Sequence, residues 1–87
     1  MKDLKLMELN DTVDMMISDD YKERFKAEYY QLFLRYKGLT KMLEKWDLDI
    51  LNFKPTCPRS TYELQIKAME FYLDILEARA KIEGIEL

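Results

Sequence analysis

The sequence predicts an all-α protein: an antiparallel helical hairpin of two long helices with a short helical N-terminal arm, oligomerising through the second helix. Three observations predict it. Apolar residues recur at helical spacing along two long segments. Both prolines, Pro55 and Pro58, fall in the stretch between those segments. The 87 residues include only two glycines and are 48% hydrophobic and 36% charged, the composition of a helix-rich single domain rather than a disordered or all-β chain.

Residues 1–18 read as an acidic arm with short helical turns. Leu4, Leu6, Met7, Leu9, Val13, Met15, Met16 and Ile17 are too many apolar groups for a free tail, so the arm is expected to pack. The hairpin occupies 19–87, with helices over about 20–47 and 60–83 and a loop over 48–59. Asp20, with Glu23 three residues on, supplies the cap of the first helix. Tyr21, Phe25, Tyr29, Leu32, Tyr36, Leu39, Leu43 and Trp46 then form one continuous apolar seam. Tyr30, Phe33 and Leu34 lie off that seam, and their exposure would mark a subunit contact. In the loop, Leu48, Ile50, Leu51 and Phe53 are expected to plug the open end of the hairpin. Ser60 and Glu63 read as a capping box that starts the second helix near Thr61, an earlier start with Pro58 in the first turn being the rival. Gly84 supplies its left-handed stop and Ile85 the apolar residue that folds back.

The second helix carries two apolar stripes. Leu64, Ala68, Phe71, Ile75, Ala78 and Ile82 form one. Tyr62, Ile66, Met69, Leu73, Leu76 and Ala80 form the other, about 160° away at 100° per residue. One neighbouring helix covers only one of them. The other is expected to meet a second copy, through Ile66, Met69, Leu73 and Leu76 or through the opposite stripe. Between the stripes Gln65, Tyr72 and Arg79 recur seven apart. An Arg in that arc needs a carboxylate such as Glu83 or Glu28, or an anionic ligand. The line reads as buried and structural first, so Arg79→Ala is expected to destabilise or dissociate the protein, at a cost of about 3–5 kcal/mol.

Charge divides the chain. Residues 1–20 hold two Lys/Arg against six Asp/Glu, 21–59 nine against five, and 60–87 three against six, for net charges of −4, +4 and −3. A basic first helix against an acidic second favours antiparallel pairing. The basic residues are dispersed around the first helix, which argues against duplex nucleic acid as a partner. No apolar run exceeds three residues, so no membrane span or secretory leader is expected, and one cysteine, Cys57, excludes an internal disulfide. The expected compartment is the cytoplasm.

With no histidine and one cysteine, the usual zinc sites and Ser/His or Cys/His nucleophiles are excluded. Glycine-rich phosphate loops are also missing. The paired acids read as caps and solvated faces. A non-enzyme without metal or cofactor is expected.

Four segments carry a resemblance. They are Tyr21-Lys-Glu-Arg-Phe-Lys-Ala-Glu-Tyr, Leu39-Thr-Lys-Met-Leu, Leu51-Asn-Phe-Lys-Pro-Thr-Cys-Pro, and Gln65 through Glu77-Ala-Arg-Ala-Lys-Ile-Glu-Gly-Ile. Over about residues 10–87 the chain resembles small proteins of phages and prophages from Gram-positive bacteria related to a crAss-like phage product. The hairpin architecture is also similar to phage sponges that counter cyclic-oligonucleotide and TIR-type immunity by binding signalling nucleotides at subunit interfaces. The resemblance implies a phage-encoded counter-defence protein in an infected or lysogenic bacterial host. Its expected ligand is a cyclic nucleotide, with a host defence protein, blocked in the anti-CRISPR manner, as the alternative partner. A phage structural or regulatory hairpin is the third reading. The chain's own residues offered for a ligand are Arg59 and Ser60, with the free amides at the start of the second helix, for phosphate, Tyr62 and Tyr72 for a base, and Gln65 and Arg79 on the polar line.

Overall fold

The computed structural model describes residues 7–87. Leu4 and Leu6 of the arm lie outside the described residues. A 3-10 turn, Leu9–Thr12, leads into a one-turn helix α1, Val13–Met16. Helix α2 runs Tyr21–Asp47 and helix α3 Arg59–Glu83, antiparallel to it. The described residues are helical or irregular, with no strand.

The caps explain the boundaries. The Asp20 carboxylate accepts from the Lys22 amide at 2.9 Å, while the Asp20 amide donates to Ser18 Oγ at 3.1 Å. At the other end of α2 the Ile50 amide reaches back to the Lys45 carbonyl at 3.0 Å across Asp49, whose φ of 57° is left-handed. This hydrogen-bonded turn stops the helix without glycine. Helix α3 takes Pro58 as its N-cap residue, with φ −61° and ψ 151°, and its first turn has no side-chain cap. The Ser60 capping box therefore does not form. Proline's fixed φ already sets the entry geometry two residues earlier, and Ser60 becomes an exposed residue within the first turn. Gly84 closes α3 with φ 70°, and the Ile85 amide donates to the Ala80 carbonyl at 2.8 Å. Ile85 then folds back into the core.

The core gathers at the end of the hairpin where α2 begins and α3 ends. Met7, Phe25, Tyr29, Tyr30, Leu73, Leu76, Ala80 and Ile85 form one buried cluster, with Met15, Phe33 and Leu34 packed on it. The arm lies along α2. Thr12, fully buried, donates to the Leu9 carbonyl at 2.6 Å and accepts from Gln31 Nε2 at 3.0 Å, so its hydroxyl is satisfied. Among the described residues no helix is long and apolar enough to cross a membrane.

Two sequence expectations are corrected here. Tyr30, Leu73 and Leu76 are not subunit contacts. They are 4%, 6% and 0% exposed inside the chain's own core, because the arm reaches the Tyr30 side of α2 and the Leu73/Leu76 stripe faces α2. Ile66 and Met69 are half-buried on that same stripe, and Phe33 and Leu34 are half-buried against the core. The other correction concerns the connection. Leu48, Ile50 and Phe53 are exposed rather than plugging the hairpin, since Trp46 and Tyr62 already close that end in an edge-on contact at 6.2 Å.

Candidate functional site

The candidate ligand residues separate into two clusters at opposite ends of α3. Twenty residues of helix rise about 30 Å, so Arg59 and Arg79 are too far apart to share one site.

At the connection end, Arg59 leaves the first turn of α3 and returns to the last turn of α2. Its guanidinium makes two hydrogen bonds to Asp47, at 2.7 and 3.1 Å, and stacks on the Trp46 ring with 5.3 Å to the centroid. Nε, buried, lies 3.3 Å from Glu63 Oε1 without a well-aligned hydrogen bond. The Arg59 hydrogen bonds hold the Asp47 carboxyl below its ordinary pKa. Tyr62 braces the loop by accepting from the Cys57 amide at 3.2 Å. Beside this clamp is a cavity of about 740 Å³, open to solvent. Trp46, Leu51, Phe53, Lys54 and Arg59 are among the side chains that wall it. It thus presents aromatic surface and positive charge together. Ser60 and Gln65 are exposed, and Gln65 stands apart from both clusters.

At the other end, Arg79 donates from Nε to Glu83 at 3.2 Å and from Nη2 to the Tyr21 hydroxyl at 2.9 Å, and it lies over the Phe25 ring at 5.0 Å. Tyr21 in turn donates to Glu83 at 2.7 Å. The carboxylate partner expected for Arg79 is present. The burial is not: its side chain is 45% exposed, because the face between the stripes opens to solvent in the single chain. The Arg79 pair is therefore a surface pair of modest worth. Tyr72, also exposed, donates to Glu28.

A ladder of tyrosine–glutamate hydrogen bonds ties the two helices together. Tyr21, Tyr29 and Tyr36 of α2 donate to Glu83, Glu77 and Glu70 of α3 at 2.7, 3.1 and 3.1 Å, and Tyr72 donates back to Glu28. These phenol–carboxylate bonds climb the hairpin in antiparallel order and fix its register. The signal was present in the seven-residue spacing of Tyr29/Tyr36 and of Glu70/Glu77. Burial, reinforced by the Glu77 hydrogen bond and its charge, pushes the Tyr29 pKa up to about 12. In the unfolded chain it returns to about 10. The stabilisation is thus complete below about pH 10 and lost as pH rises through about 12. It is worth about 1–2 kcal/mol after discounting for solvent screening. Urea denaturation on either side of pH 10 is expected to show a shallower alkaline loss for Tyr29→Phe than for the parent chain.

The fold and its sites define a small all-helical binding protein: a hairpin with a cation-and-aromatic cavity at one end and an uncovered apolar face on its second helix. Among the described residues, no group of three or more His, Cys, Asp or Glu side chains is placed to hold a metal ion. The chain belongs to the Sequestin family, whose model matches residues 19–82, both long helices and the connection between them. The family name points to sequestration, a binding role rather than a catalytic one, and identifies no target. No curated protein and no solved structure matches the chain.

Proposed function

We propose that the protein sequesters a small phosphorylated nucleotide without altering it, acting as a homo-oligomer and serving a phage against the signalling immunity of its bacterial host. The carrying observation is the connection-end cavity, where Trp46 and Phe53 share a wall with Arg59 and Lys54. An aromatic face beside a guanidinium suits a nucleobase next to its phosphate. Arg59 is already matched by Asp47, whereas Lys54 makes no ion pair among the described residues and can meet an anion. The family name supports sequestration, and the resemblance to phage proteins supports the setting. The exposed Leu48, Ile50 and Phe53 favour a second reading, in which the same end docks on a host defence protein.

Thermal-shift screening against cyclic di- and trinucleotides and cyclic ADP-ribose isomers tests the proposal. A ligand at one hundred times its Kd adds about 2.7 kcal/mol of stability. The expected result is a raised Tm with one nucleotide class, reduced by Lys54→Ala, and recovery of that nucleotide unchanged after denaturation. A chemically altered product overturns the non-catalytic reading. No shift with any nucleotide, together with a purified host defence enzyme inhibited by the protein, moves the function to the second reading.

A further inference from the structure

The apolar stripe turned away from α2 is left open. Leu64, Phe71, Ile75 and Ile82 are 69%, 68%, 42% and 84% exposed, and Ala68 and Ala78 between them are exposed too. The 3-10 turn and α1 do not cover this stripe: both pack along α2 and neither contacts α3, while Met7 lies in the core on the opposite, α2-facing side with Leu73 and Leu76.

We infer that this stripe is the seam of a parallel, in-register pairing of α3 with α3 of a second copy of the chain. Its 4-3-4-3-4 spacing is the heptad pattern, with Ala68, Ile75 and Ile82 at one core position and Leu64, Phe71 and Ala78 at the other. β-branched isoleucine at the first of these favours two parallel strands. The area covered, on the order of 1,000 Å² over both copies, reaches the size at which a specific interface begins.

Charge decides the orientation. An antiparallel pair centred near Leu73 stacks Leu64 on Ile82, Ala68 on Ala78 and Phe71 on Ile75. It also sets Asp74 against Asp74 and Lys67 against Lys81, so every charged pair along that flank is repulsive. The parallel pair sets Asp74 beside Arg79 of the second copy, twice by symmetry, and Lys67 beside Tyr72 of the second copy. Arg79 has donors to spare, since its bonds within the chain use Nε and Nη2. Both connection-end cavities then lie at the same end of the pair. This deepens the oligomer part of the proposed function, and its test does not read ligand binding, so either part can fail alone.

The experiment uses the full chain carrying Cys57→Ser, which removes its exposed thiol. In the parallel pair the two Ala78 positions face each other, and Ala78→Cys is expected to oxidise to a covalent dimer. In the antiparallel pair they lie about 15 Å apart along the axis, and only the double variant Ala68→Cys/Ala78→Cys joins. Crosslinking of the double variant alone overturns the orientation. A single-chain mass by light scattering at micromolar concentration, with no crosslink in either variant, overturns the pairing. Phe71→Glu, at an exposed site, is expected to keep its helical circular dichroism and yield monomer. A dimer that persists in that variant places the interface elsewhere and also overturns the inference.

Discussion

Leu76→Ala is expected to lower the folding stability by about 2–5 kcal/mol, the range for deleting a buried leucine side chain. Leu76 is fully buried at the centre of the core cluster, between α2 and the folded-back Ile85 end of α3. The surrounding groups are held by long helices and relax poorly into the space, so the upper half of the range applies. For a domain of this size each kcal/mol is worth about 4–8 °C, so thermal denaturation should show a fall of more than about 10 °C. Ile82→Ala, on the outward face of the same helix, is the control. Its Tm is expected to fall less than that of Leu76→Ala in the proposed pair, and barely to change in a Phe71→Glu monomer, since Ile82 is 84% exposed in the single chain. Equal losses in that monomer would mean that the two stripes had exchanged roles.

Phe25→Ala is the other large effect, at about 3–5 kcal/mol. Phe25 is 3% exposed, in the core, and carries the Arg79 guanidinium on its ring. Arg79→Ala removes the guanidinium but leaves Phe25 packed, and the lost pair with Glu83 was exposed. Its cost is therefore about 1 kcal/mol. The ranking separates the accounts. A buried ion pair would make Arg79→Ala the costlier change. An exposed one makes Phe25→Ala costlier by at least about 2 kcal/mol in urea denaturation.

Much of the fold was legible because local chemistry settles it. Asp20 caps α2 and Gly84 ends α3 through geometry encoded within a few residues. The two stripes of α3 were visible in the spacing, but which one faced α2 was not, since periodicity gives the angle between faces and not the partner of each. The same ambiguity misplaced Arg79: the arc between the stripes is buried only when both are covered. Tyr30 was misread because the arm's path across α2 depends on packing rather than on local pattern. The four tyrosine–glutamate bonds escaped notice because matching residues across a hairpin requires its register, which the turn at Asp49 and the entry at Pro58 together set. For the candidate site, Arg59 was identifiable. Trp46, Phe53 and Lys54 beside it come together only through the path of the connection.

Because the buried cluster sits where α2 begins and α3 ends, cohesion is graded along the hairpin. Towards the connection, the helices are held mainly by the half-buried Arg59 clamp, the Trp46–Tyr62 contact and buried Leu43. Local opening starts where few apolar groups are buried, so the hairpin is expected to act as a peg whose jaws part at the cavity before its hinge does. The last turns of α2 and the first turns of α3 are then expected to open more readily than the whole hairpin unfolds, which amide hydrogen exchange would show as weaker protection there. A ligand entering there would select among jaw widths already sampled, without drawing on the stability stored at the hinge.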